Sequence, residues 1–509
     1  MAYFPVTPSG LRTDDPAVAG AVGAVGARPS WHDGWRDSWR SRLVCGVLLA
    51  LALAGTVLVA RSRTGGTFVY PVDDAYIHLA AAKKLVLGGD ASLFSACSSI
   101  VWPWLLAGLR VVGVDDSAPL VLNGIAAIGL FALTDRALAS LGVKRAAPAA
   151  LGVLLMVPIV PLALSGMEHT SHTCFALLVV GLGVRAAVRN EKVSVGLALA
   201  AAATVAFRYE GAFVVGAVAL LFARAKRPGS AALVMLAGAL PAVVRGVLSV
   251  SRNGLFFPVP VTMKRTGLSA DLIAKIYYRL IDNPHVLVLF ILLAFAWTLD
   301  AGRTDREAKE RHAFVLVAAI TLAAQTALAQ LGWFYRYEAY AVLLALVAVA
   351  STAAAHARRV KPFALAAAVI AFPLVGRAAS AFRTTVLASQ NIYDQEIQMA
   401  LFVHTFANDS AVALNDIGAV SYFADAKVVD LVGLASPRIA AARGMRLDGP
   451  LPREVIARET TAANVRLAIV YDDWFVGTLP LTWRRIGTLK IPDNHVCAKD
   501  TVSFYATHE

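Results

Sequence analysis

A chain of 509 residues that is 58% hydrophobic, only 16% charged and +0.63 in mean hydropathy is excluded from the ordinary soluble class and reads as a polytopic membrane protein. The formal charge of +13 does not indicate a nucleic-acid partner, because Lys and Arg stand in short clusters between apolar runs, as orientation signals do. Cys45, Cys97, Cys174 and Cys497 lack metal-ligand spacing, and no GxxxxGK(S/T) or GxGxxG loop is present, so neither a zinc site nor a nucleotide cofactor is indicated.

Residues 1–42 read as a polar, cytoplasmic N-terminal segment with Trp31, Trp35 and Trp39 spaced for one side of an interfacial helix. The run Leu43 to Ala60 lies too far into the chain for a signal peptide and is flanked by Arg40, Arg42 and Arg61, so it reads as a retained span. Further apolar runs predict spans near 118–134, 147–165, 171–188, 193–207, 211–223, 230–250, 285–299, 312–331, 337–355 and 362–376, about eleven in all. The segment 101–114, VWPWLLAGLRVVGV, is short and carries Arg110. If it lies along the surface, the five basic clusters between Arg136 and Lys361 all fall in cytoplasmic loops; if it spans, all become external. The first assignment is therefore expected, with a cytoplasmic N-terminus and an external C-terminus in a plasma membrane.

From about residue 377 to 509 the pattern becomes soluble. SAVALND, AKVVDLV and VRLAIVYDD read as short buried strands, with GAVSYFA and Pro452 to Ala463 as helices. The expected fold is thus mainly α: a transmembrane helical bundle over 43–376 bearing a C-terminal external α/β domain.

This sidedness sends the polar loops VDDAYIH, SGMEHTSH, FRYEG, RNGLFFPVPVTMKRTG and GWFYRYEAY to one face, where they can line a shared cavity. Asp73 and Asp74 precede a helical stretch, 75–87. One carboxylate serves as an N-cap and the other is available as a general base toward an acceptor hydroxyl, with His78 one turn along; which does which is not fixed by spacing. Glu168 is a second candidate acid; alternatively it closes a capping box with Ser165, or joins His169 and His172 around a divalent cation. Arg208, Arg245, Lys264 and Arg336, with Tyr209, Tyr335 and Tyr337 as aromatic walls, can clamp a phosphate, while Glu210 and Glu338 can hold the neighbouring arginines. With no nucleotide-binding loop, an already activated lipid phosphate is the sensible donor. Cys97 and Cys497 share the external side and are candidates for a bridge.

Taken together, DDAYI, GMEHT, RYEG, PVPVTMK, the later RYE and NDIGAVSYFADAKVVDLVGL resemble the GT-C glycosyltransferases, in the branch containing the actinobacterial terminal arabinofuranosyltransferase; the resemblance runs from about Asp73 to Pro437. It implies sugar transfer from a polyprenyl-phosphate donor to an envelope glycan or glycolipid. It also implies that Asp73 or Asp74 is the catalytic carboxylate, and that Lys264 and an arginine contact the lipid phosphate. Two positions depart from the pattern: Val261 stands in Pro260-Val261-Thr262 where Asn is expected, and His169 follows Glu168 where Thr is usual. Both bear on the donor sugar rather than on the acid pair. The rival functional class is a transporter or flippase of a lipid-linked or anionic substrate, against which stands the lack of corresponding halves with broken helices.

Overall fold

The computed structural model describes residues 31–88, 92–264, 272–363 and 371–508. Helix α1 (Trp31–Arg63) enters the bundle and is followed by helices α2 (Asp74–Leu87) and α3 (Trp102–Val111). The body continues through α4 (Ala118–Ser140), α5 (Ala146–Met156), α6 (Ile159–Leu164), α7 (His169–Val188), α8 (Val195–Phe207), α9 (Gly211–Arg224) and α10 (Pro228–Val250). After the short α11 (Val259–Lys264) come α12 (Leu272–Asp282), α13 (Pro284–Asp300), α14 (Arg306–Leu328) and α15 (Ala339–Ala355), and then α16 (Phe372–Ile392).

Among the described residues, five helices are long and apolar enough to cross a membrane: α1 from Trp39, α4, α7, α10 and α14. The pair α12 and α13, bent by 99° at Asn283, makes a sixth if counted as one span, and α5, α8, α9 and α15 are shorter apolar helices. Several expected spans are short because polar chemistry interrupts them. The expected span 147–165 breaks at Pro158, which has no N–H to continue the helical ladder. Helix α8 starts at Ser194, whose hydroxyl accepts from the Leu197 N–H, and stops at the extended Arg208. Helix α14 starts earlier than expected because the Asp305 carboxylate caps the Ala308 N–H at 3.0 Å. Residues 364–370 of the expected span 362–376 lie outside the described residues. The ten residues of α3 extend about 15 Å, half the thickness of a hydrocarbon core.

Beyond α16 a π-helical turn, Tyr393–Ile397, leads into α17 (Gln398–Phe406) and a five-stranded sheet. Its strands are β1 (Ala411–Leu414), β2 (Lys427–Asp430), β3 (Val465–Val470), β4 (Arg484–Lys490) and β5 (Thr501–Ala506), in the order β2-β1-β3-β5-β4. The first three are parallel and β5 is antiparallel to both its neighbours. Helices α18 (Gly418–Phe423) and α19 (Arg453–Ala462) occupy the two stretches expected to be helical. One apolar cluster joins this unit to the loops after α1, with Tyr76, Ile77 and Trp102 packed in the same body as Ile417, Val420 and Leu467. That contact carries the carboxyl ends of β1 and β3 to the Asp73-Asp74 turn.

Candidate active site

The two aspartates separate. Asp73 occupies the cap position of α2 but makes no capping bond there. Its two oxygens instead accept the Gly418 and Ala419 N–H groups, both at 2.8 Å, at the start of α18. The expected cap is therefore present as a position and absent as a bond, because two orphan N–H groups of another helix compete for the same carboxylate. Asp74 turns the other way and pairs with Arg336.

Around Asp74 lies a cavity of about 330 Å³ lined by Arg208, Tyr209, Glu210, Pro260, Val261, Arg336 and Tyr337. Arg208 is 6% and Arg336 1% exposed. Both guanidiniums lie against the Tyr337 ring, at 5.7 and 5.3 Å from its centroid, which fixes their separation. Arg208 donates to Glu168 and to Glu210, each at 2.8 Å. Arg336 Nε and Nη1, Arg208 Nε and the Tyr209 hydroxyl are buried and have no protein partner. Buried polar groups are nearly always bonded, so unspent donors on one cavity mark a place for an anionic or hydroxyl-rich ligand.

Glu168 is fully buried behind this wall, accepting from Arg208 and, at 3.2 Å, from Ser98. The capping box with Ser165 does not form: the Ser165 hydroxyl donates to the Leu162 carbonyl instead. His78 Nε2 lies 3.8 Å from Glu168, and His169 is buried with its ring near Tyr337. Among the described residues no three His, Cys, Asp or Glu side chains are grouped to hold a metal ion, so the cation site weighed for Glu168, His169 and His172 has no geometry here. Arg245 does not line the cavity; it reaches the carbonyls of Phe256 and Phe94 at 3.3 and 3.4 Å. The backbone of Lys264 ends α11, and its side chain lies outside the described residues. Cys97 and Cys497 are buried free thiols.

Two further cavities adjoin the first. An apolar one of about 440 Å³, lined by residues including Val215, Met235, Ala239, Val243 and Phe256, shares Tyr209 and Val261 with it. A larger one of about 840 Å³ lies under the sheet and shares Asp74, Gln330 and Tyr337. Its lining includes Asp73, Glu396, Asn415, Asp416, Asp448, Asp473, Trp333 and Trp474, with Arg443 among them. Burial, and then Asp416, pushes the Asp73 pKa up to about 7, and burial pushes Asp416 up to about 6. Asp416 and Glu396 are absent from the sequence expectation. The available signal was NDIGA, a polar turn directly after a buried strand, where open α/β sheets place ligands.

The comparisons agree with this architecture. The crystal structure of ArnT from Cupriavidus metallidurans bound to undecaprenyl phosphate superposes with a TM-score of 0.55 at 12% identity, over 90% of this chain and 98% of that one. The chain has a GT-C-like fold. Arabinofuranosyltransferase AftD from mycobacteria gives a TM-score of 0.46 at 14% identity over 91% of this chain and 41% of its own. A family model described as a domain of unknown function (DUF8728) matches residues 390–505, so the sheet-bearing part of this GT-C-like chain carries its own sequence signature. No curated protein sequence matches the chain.

Proposed function

We propose that this GT-C-like chain is an integral-membrane glycosyltransferase that moves a sugar from a polyprenyl-phosphate donor to an envelope glycan or glycolipid acceptor. The observation that carries the proposal is the pair of buried guanidiniums, with unspent N–H groups, beside Asp74 on a cavity open to an apolar groove. A lipid phosphate fits that chemistry: the phosphate oxygens take the Arg208 and Arg336 donors and the tail takes the apolar cavity. The larger cavity takes the acceptor, and both meet at Asp74 and Tyr337. The C-terminal unit then lies on the external side, with the donor's headgroup at the outer leaflet.

In this reading Asp74 is the base. It takes the proton of an acceptor hydroxyl, the hydroxyl oxygen forms a bond to the anomeric carbon, and the bond from that carbon to the lipid phosphate breaks with its electrons on the phosphate oxygen. Arg208 and Arg336 stabilise the charge that develops there, and a single displacement inverts the anomeric centre. Glu168 and Glu210 hold Arg208 in place, Tyr337 separates the two cations, and Lys264 is a further candidate for the phosphate. Asp73 docks the C-terminal unit rather than serving as base.

The test uses the purified protein in nanodiscs with radiolabelled polyprenyl-phosphate pentose or hexose and glycan acceptors. Labelled product supports the enzyme. Lipid movement across a vesicle without product supports the transporter class and removes this assignment.

A further inference from the structure

The wall between the Asp74 cavity and the larger cavity under the sheet is built on an unusual stretch of backbone. Gly332, Trp333, Phe334 and Tyr335 are consecutive left-handed residues, with φ of 77°, 33°, 58° and 62°. Three aromatic residues in a row in that region are disfavoured for L side chains, and such runs persist only where surrounding contacts over-determine them. The next two residues are Arg336 and Tyr337. Gln330, Arg336 and Tyr337 face the smaller cavity, while Gln330, Leu331, Trp333 and Tyr337 face the larger one.

The contacts that hold this stretch come from outside both cavities. Glu338, fully buried, accepts from the Gly332 N–H at 2.8 Å, from Arg377 at 2.6 Å and meets His285 at 3.3 Å. Arg377, itself 9% exposed, also donates to the Tyr335 carbonyl at 2.8 Å and lies 5.5 Å from the Tyr335 ring centroid. The Tyr335 hydroxyl is within 2.9 Å of the Ser380 hydroxyl. One carboxylate and one guanidinium therefore grip the first and last residues of the left-handed run. Neither side chain lines either cavity.

We propose that Glu338 and Arg377 are positioning residues: they hold Gly332–Tyr335 in the left-handed form so that Arg336 meets Asp74 and Tyr337 faces both cavities. The proposal rests on the donor reading above for the ligand named in its test, but not for the backbone it describes. The pairing expected from adjacency, Glu338 with Arg336, is replaced by a pairing across the fold that leaves Arg336 available to Asp74 and to a ligand.

The experiment uses the full chain in nanodiscs, with Glu338→Gln and Arg377→Lys, the latter keeping charge while losing the planar fork. Hydrogen exchange over 330–338 is expected to rise in both variants, with the rest of the bundle protected as in the wild type. Undecaprenyl phosphate binding is expected to weaken roughly tenfold or more, the loss of one charge-assisted bond. The Glu338→Gln/Arg336→Ala double variant is expected to bind no worse than Arg336→Ala alone, because Glu338 acts through Arg336. Unchanged exchange over 330–338, additive losses in the double variant, or protection lost evenly along the chain in both variants each overturn the proposal. If the wild type fails to bind undecaprenyl phosphate, the donor reading falls while the exchange measurement still decides this one.

Discussion

Replacing Gly418 by Ala isolates the contact between the acid pair and the sheet-bearing unit. A Cβ at 418 would overlap the Asp73 carbonyl oxygen and come within 2.5 and 2.6 Å of its two carboxylate oxygens, although the backbone itself accepts a side chain there. Something must move. If Asp73 swings away, the two N–H bonds at 2.8 Å are lost. A hydrogen bond to a charged group is worth about 1.5–3 kcal/mol. If Asp73 stays, the overlap forces an overpacking cost of about 1–3 kcal/mol. These are alternatives rather than additive terms, so about 1–3 kcal/mol is expected, which raises the population of the undocked form by roughly 5- to 150-fold. Native-state hydrogen exchange over 74–87 and 418–423 reads this directly. Gly487→Ala is the control, since a Cβ there meets nothing within 4 Å. Equal protection in the two variants would refute the clasp.

Docking should also depend on pH. Asp73 and Asp416 have pKa values raised to about 7 and about 6, so the folded state binds more protons than the unfolded chain. Their contribution is then fully present below pH 4 and is lost as pH rises through 6 to 7. The melting temperature of the C-terminal unit should be higher at pH 5.5 than at pH 8, and Asp416→Asn should flatten the trend; a rise with pH contradicts it. Ala239→Phe fills the apolar cavity and should weaken a long-chain polyprenyl phosphate by roughly tenfold, the equivalent of about two buried methylenes, while leaving a short-chain analogue unaffected. Equal losses for both chain lengths would remove the tail from that groove. Among the described residues, the larger cavity is lined by six acidic side chains, Asp73, Asp74, Glu396, Asp416, Asp448 and Asp473, and by one cationic side chain, Arg443. An uncharged acceptor should therefore be used at least tenfold better than the same glycan bearing a phosphate, and preference for the phosphorylated form would reassign the cavity.

The helical bundle and the strands of the C-terminal unit were legible because apolar periodicity survives in short windows, as VRLAIV and AVAL illustrate. Convergence of the DDAYI, RYEG and later RYE loops was legible from their spacing between apolar runs. The partners were not. Asp73 bonds to residues 345 and 346 positions away, and Glu338 chooses Arg377 over its neighbour Arg336. Such choices depend on which donors tertiary packing leaves unsatisfied, and local spacing is silent about them. The same blindness explains the unmade capping box at Ser165, where a local pattern lost to the buried Arg208.

The most direct measurement compares wild type and Asp74→Asn for sugar transfer and for undecaprenyl phosphate binding in the same nanodisc preparation. The account predicts that the variant still binds the lipid and forms product at least a hundredfold more slowly, as removal of a general base typically costs. Transfer at the wild-type rate with Asn at position 74 would contradict it.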